Sequence, residues 1–120
     1  MLKRILVVDD DRMNLSRAKM ILNKEYEVDL ASSGTEALHV LSRKQVDLVL
    51  LDIDMPKMNG FETLKRMKDY EYDAPVIFLT ASGLRNDVEG AIKMGAVNYL
   101  KKPFTPKELL RRVALELEEQ

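Results

Sequence analysis

Residues 48–62 read LVLLDIDMPKMNGFE. The apolar residues Leu48 to Leu51, with Val46 before them, stop at a carboxylate, Asp52, and Pro56 and Gly60 follow four and eight positions later. A short, continuously apolar run suits a strand covered by helices on both faces. A carboxylate where such a strand leaves the core suggests a reactive site. Taken alone, Asp52 also reads as an ordinary turn residue, because DxxxP is a weak motif. Its company decides.

Working outward, strand-like runs recur at Ile5 to Val8, Val28 to Ala31, Asp47 to Leu51, Pro75 to Thr80 and Val97 to Leu100. Helical patterning lies between them. The template i, i+3, i+4, i+7 is filled by Gly34, Ala37, Leu38 and Leu41, by Val88, Ala91, Ile92 and Gly95, and by Leu110, Val113, Ala114 and Leu117, which predicts one buried stripe per helix. Ser33 with Glu36 and Thr105 with Glu108 fit the capping box, and Pro106 stands where a first-turn proline loses no hydrogen bond. Gly95 has the place of a helix-ending glycine with positive φ. The pattern is strand then helix, five times over. It predicts one α/β domain over residues 1–120, a doubly wound parallel sheet of five strands with five helices on its two faces.

Composition narrows the function classes. A net charge of −1 offers no electrostatic footprint for direct nucleic-acid binding. With no cysteine, disulfides, thiolate catalysis and Cys-based metal sites are excluded, in keeping with a reducing cytosol. No apolar run approaches the roughly 18 residues of a membrane span. A cytoplasmic protein without membrane contact is expected.

Right-handed crossovers put every strand's C-terminal end on one edge of the sheet, where open α/β folds bind ligands. That edge collects Asp9, Asp10 and Asp11 after the first strand, Asp52 after the third, Thr80 at the end of the fourth and Lys102 beyond the fifth. Periodicity leaves strand orders 2-1-3-4-5 and 3-2-1-4-5 open, but only the first makes strands one and three neighbours. Two carboxylates about 4 Å apart repel by roughly 4 kcal/mol at an effective dielectric near 20, equivalent to about three pKa units. Clustered acids therefore need a cation. An all-oxygen donor set suits a hard ion, and Mg²⁺ combines one or two carboxylates with waters and phosphate oxygens. A carboxylate can also be the nucleophile that forms an acyl phosphate, provided cations neutralise the transition state. Lys102 could supply that charge and Thr80 a hydrogen bond.

The pieces ILVVDDD, LVLLDIDMPKMNGFE, VIFLTAS and GAVNYLKKPF, in this order and spacing, resemble the receiver domain of two-component response regulators over essentially the whole chain. The resemblance implies a flavodoxin-like fold with strand order 2-1-3-4-5. It implies that Asp52 accepts a phosphoryl group, as 4-aspartylphosphate, from the phosphohistidine of a sensor histidine kinase or a histidine phosphotransfer protein. Asp10, Asp52 and the backbone carbonyl of Asp54 would bind Mg²⁺ (or Mn²⁺), with Asp9 assisting through water. By the same resemblance Lys102 would contact a phosphoryl oxygen, Thr80 would swing toward the phosphate, and Tyr99 would move inward. The face of helix 4, strand 5 and helix 5 would then change for a downstream effector domain or protein, or for a phosphorylation-dependent dimer. A cis peptide is expected between Lys102 and Pro103. Asp54 and Ser82, two positions after Asp52 and Thr80, are expected to set the lifetime of the acyl phosphate. Such a domain would be no enzyme, promoting only its own phosphorylation and dephosphorylation.

Blander readings stand beside these. Asp11 lies outside the matched pair and reads as a helix cap, Gly60 as a tight entry to the third helix with Asn59 and Glu62 as cap chemistry, and His39 as surface. The methionines read as core filling. Lys107, Arg111 and Arg112 read as a solvated basic face. Two rival functions remain: a haloacid-dehalogenase-like phosphatase using Asp52 and Asp54 as its DxD pair, and a receiver-shaped interaction module that needs no phosphate. The phosphatase family usually carries DxD on the first strand of a larger, capped domain, whereas here it ends the third.

Overall fold

The computed structural model describes residues 2–81 and 85–118. The apolar runs become strands β1 (Arg4–Val8), β2 (Glu27–Ala31), β3 (Leu48–Asp52), β4 (Val76–Thr80) and β5 (Asn98–Lys101). They alternate with α1 (Arg12–Leu22), α2 (Gly34–Arg43), α3 (Gly60–Asp69), α4 (Arg85–Lys93) and α5 (Pro106–Glu118). The strands form one parallel sheet in the order β2-β1-β3-β4-β5. The order left open by periodicity is thus the one that seats β1 beside β3. Val8 pairs with Leu51, Asp52 with Leu79, and Thr80 with Lys101. The strands therefore end level with one another, and the residues just beyond them share one edge.

Alternation along each strand divides the core in two. Leu6, Val8, Val49, Leu51, Val76 and Phe78 face Ala37 and Leu41 of α2, Leu64 and Met67 of α3, and Ala91 of α4. Ile5, Val7, Leu50, Ile77 and Leu79 face Leu15, Ala18 and Leu22 of α1 and Leu109, Val113 and Leu117 of α5. Full burial contributes about 1.5–3 kcal/mol per large side chain, which offsets the entropy of ordering the chain and holds the site edge rigid.

Several sequence expectations change at the level of side chains. Among the described side chains of α4 Ala91 is buried, while Ile92 is 60% exposed, and the side chain of Val88 lies outside those described. Gly95 does not extend the stripe. It turns the chain at φ +96°, a conformation that glycine adopts without steric cost. On α5 the buried line is Leu109, Val113 and Leu117, one residue every four, with Leu110 and Ala114 half-buried beside it. Met55 and Met67 fill the core, but Met13 and Met20 are 80% and 74% exposed on α1. Arg112 is not simply solvated, since its guanidinium donates to Asn98 Oδ1 and to the Tyr99 carbonyl at 2.8 and 2.6 Å.

The caps behave as their chemistry dictates. Asn59 with Glu62 and Thr105 with Glu108 form reciprocal capping boxes. At α2 only half of the box is made, because Ser33 accepts from the Glu36 N–H while the Glu36 carboxylate is taken by the Ser32 hydroxyl. Asp11 caps α1 by accepting from the Met13 N–H at 2.8 Å. Gly60 owes its place to close approach: a Cβ there would lie 2.5 Å from the Asp52 carbonyl oxygen and 2.8 Å from Ile53 Cα.

Candidate functional site

Asp52 is the last residue of β3, and Asp9 follows the last residue of β1. Because these strands are neighbours in register, the two carboxyl groups meet beyond the sheet edge, where they are 2% and 1% exposed. Exposed Asp10 adds a third. Ligand-capable oxygens of Asp9, Asp10 and Asp52 all lie within 4.8 Å of one another. Lys102 enters from the loop after β5. Its Nζ donates to Asp52 Oδ1 at 3.1 Å and to Asp9 Oδ2 at 3.3 Å.

Backbone contacts hold these groups in place. The Lys102 N–H donates to the Thr80 carbonyl at 2.7 Å, and the peptide between Lys102 and Pro103 is cis, as expected. The loop is tied to α1 by Arg17, whose guanidinium donates to the Phe104 carbonyl at 2.7 Å and lies 5.2 Å from the centre of the Phe104 ring. Asp52 Oδ1 also accepts from the Asp54 N–H at 3.3 Å, while the Asp54 side chain itself is exposed. Asp9 Oδ1 accepts from the Asp11 N–H at 3.0 Å, and Oδ2 from Asn14 Nδ2 at 3.2 Å. Among the described residues no buried side-chain nitrogen or oxygen lacks a hydrogen-bond partner.

Electrostatics set the chemistry. Burial, and then the charge of Asp9, push the Asp52 carboxyl up from its ordinary 3.8 to about 6, against the pull of Lys102 and the Asp54 N–H. The repulsion expected from sequence is real, but desolvation comes first and a lysine already offsets part of it. Burial opposes the Lys102 ammonium, yet the charges of Asp52 and Asp9 outweigh that and raise its pKa. Three carboxylates against one ammonium leave an excess of negative charge on hard oxygen donors, which fits a divalent hard cation such as Mg²⁺. With its carboxyl near 6, most Asp52 is ionised at neutral pH, the form in which a carboxylate is a nucleophile.

Of the sequence candidates, Asp9, Asp10, Asp52 and Lys102 are brought together. Thr80 ends β4, buried to 2% exposure, one strand from Asp52. Tyr99 is half-buried on β5, packed against the cluster on the α2, α3 and α4 side of the sheet. Ser82 lies outside the described residues. Asn14 and Arg17 were not singled out from sequence. The only signal for Asn14 is a polar residue one turn inside α1, five positions after Asp9.

This fold and this acid–lysine cluster define a class, a phosphoacceptor-type signalling domain. A family model described as the response regulator receiver domain matches residues 5–114, and the chain belongs to that family, the receiver domains of two-component signal transduction. Among curated proteins it is similar to the response regulator SaeR of Staphylococcus epidermidis, 39% identical over 109 residues, covering 90% of this chain and 47% of that protein. The corresponding Staphylococcus aureus protein is 39% identical over 110 residues, covering 91% and 48%. The chain thus spans about half the length of these relatives. Among solved structures, a CheY-like receiver domain protein from Methanospirillum hungatei matches with a TM-score of 0.91 at 33% identity, covering 99% of this chain and 96% of that one. Vibrio cholerae CheY4 matches at 0.90 and 31%, covering 98% and 100%.

Proposed function

We propose that residues 1–120 form one receiver domain that takes a phosphoryl group onto Asp52 from the phosphohistidine of a sensor histidine kinase or a histidine phosphotransfer protein. The observation that carries this reading is the buried Asp52 carboxylate held between Lys102 and Asp9 in a site of excess negative charge. In the transfer, an Asp52 carboxylate oxygen bonds to phosphorus as the phosphorus–nitrogen bond breaks, and the imidazole leaves with the electron pair. Asp10, Asp52 and the Asp54 carbonyl would hold Mg²⁺, with Asp9 assisting through water, and the ion would supply positive charge to neutralise the phosphoryl oxygens. Lys102 then shifts its ammonium from the carboxylates to a phosphoryl oxygen, and Thr80 donates its hydroxyl to another.

Thr80 and Tyr99 act as the switch, coupling the phosphate to the surface of α4, β5 and α5. That surface engages an effector domain or protein, or a second receiver. Asp54 and Ser82 set the lifetime of the acyl phosphate by steering water. The domain works in the cytoplasm as a signalling phosphoacceptor that promotes only its own phosphorylation and dephosphorylation, and it makes no direct contact with nucleic acid or membrane. Among the described residues no helix is long and apolar enough to cross a membrane.

The test is incubation with Mg²⁺ and acetyl phosphate followed by intact-mass measurement. Wild type should gain one phosphoryl group and Asp52→Ala none. Multiple turnover of phosphate esters would favour a phosphatase instead, and no gain by wild type would favour an interaction module.

A further inference from the structure

Asp9 is gripped at both oxygens. Oδ1 takes the Asp11 N–H at 3.0 Å, and Oδ2 is shared between Lys102 Nζ at 3.3 Å and Asn14 Nδ2 at 3.2 Å. The carboxylate is 1% exposed, so bulk water cannot easily replace a lost donor. On the proposed mechanism Lys102 must turn its ammonium toward the phosphoryl group, which leaves Asp9 Oδ2 with Asn14. We infer that Asn14 is a positioning residue whose side-chain amide keeps Asp9 aligned for the divalent ion when Lys102 departs. This inference rests on the Mg²⁺-dependent reading above.

Three physical points favour it. A neutral amide can hold a carboxylate without cancelling charge that the cation needs, whereas a second cation at this place would compete with the ion. An amide facing a carboxylate must present its NH₂, because its oxygen would be repelled. The donor is also mounted on a rigid element, since Asp11 caps α1 and Leu15 and Ala18 anchor it in the core, as a group that must hold an orientation requires.

The test is calorimetric titration of MgCl₂ into wild type, Asn14→Leu and Asn14→Gln. Hydrogen-bond partners of metal-ligating groups typically contribute 10- to 100-fold in affinity, so Asn14→Leu should weaken the Mg²⁺ Kd by about 10-fold or more. Asn14→Gln, which keeps the donor, should recover most of it. With acetyl phosphate as donor, the half-saturating Mg²⁺ concentration for phosphorylation should rise by a similar factor in Asn14→Leu and return toward the wild-type value in Asn14→Gln. A Kd for Asn14→Leu within about twofold of wild type, or no recovery in Asn14→Gln, would overturn the inference while leaving the phosphoacceptor reading intact. If wild type itself binds no Mg²⁺, both fall. Should circular dichroism show Asn14→Leu unfolded, Asn14→Ser, whose hydroxyl is too short to reach Asp9, is read in its place.

Discussion

Without a divalent ion, ionised Asp52 works against folding, and neutralising it should stabilise the protein even as it removes the nucleophile. The Asp52 carboxyl is raised from 3.8 to about 6 by burial and by Asp9, with the help of Lys102 already included. At about 1.36 kcal/mol per pKa unit, ionised Asp52 costs the folded state up to about 3 kcal/mol relative to a neutral group. Asp52→Asn mimics that neutral group in shape. For a domain of this size 1 kcal/mol corresponds to roughly 4 °C, so its Tm should rise by up to about 12 °C in EDTA at pH 7.5. The sign with pH follows from the raised folded-state pKa: the favourable contribution of the protonated form is complete below the unfolded value and lost as pH rises through about 6. The gap between wild type and variant should therefore narrow through pH 6 and close near pH 4. Mg²⁺ should stabilise wild type by about 2.7 kcal/mol at one hundred times its Kd, narrowing or reversing the order at pH 7.5. Because the chain has no tryptophan, urea unfolding is best followed by far-ultraviolet circular dichroism. A variant no more stable than wild type in EDTA at pH 7.5, or a gap that does not vary with pH, would refute the reasoning.

Other outcomes follow from the same geometry. Lys102→Ala should slow phosphorylation by acetyl phosphate about 100-fold, the scale of losing one donor to a developing oxyanion. It should leave the Mg²⁺ Kd, by calorimetry, unchanged or tighter, because a competing cation is gone. Gly60→Ala pushes a methyl group into the Asp52 and Ile53 backbone and should cost about 1–3 kcal/mol in urea unfolding, with slowed phosphorylation. By contrast Gly90→Ala, whose added Cβ meets nothing within 4 Å, should stabilise α4 by up to about 1 kcal/mol. Asp54→Asn should change the acyl phosphate half-life, read by the loss of the phosphoryl mass after Mg²⁺-saturated loading, without moving the site of modification.

Legibility followed the range of the forces involved. The central strands could be read because their residues are buried on both sheet faces, so Leu48 to Leu51 and Val76 to Leu79 are unbroken apolar runs. Caps at Asn59 and Thr105 could be read because donor and acceptor lie three residues apart. Strand order could not be had from periodicity, which says nothing of which strand lies beside which; the family resemblance supplied it. Ile92 misled because helical spacing marks only a candidate face, and the neighbouring Ala91 is buried while Ile92 is exposed. Asn14 and Arg17 were illegible for another reason. Their partners, Asp9 and Phe104, are reached only in the folded chain, and Arg17 contacts a carbonyl 87 positions away. An arginine or asparagine on a helix surface has no local mark of such work.

Everything functional converges on the position of one covalent bond. Borohydride cleaves an aspartyl phosphate to leave homoserine at the modified residue, so the protein loaded with acetyl phosphate and Mg²⁺ can be reduced, digested and mapped by mass. Homoserine at position 52 alone, absent when EDTA replaces Mg²⁺, is the expected result. Modification at Asp9, Asp10 or Asp54 with Asp52 untouched, or labelling indifferent to Mg²⁺, would contradict the account.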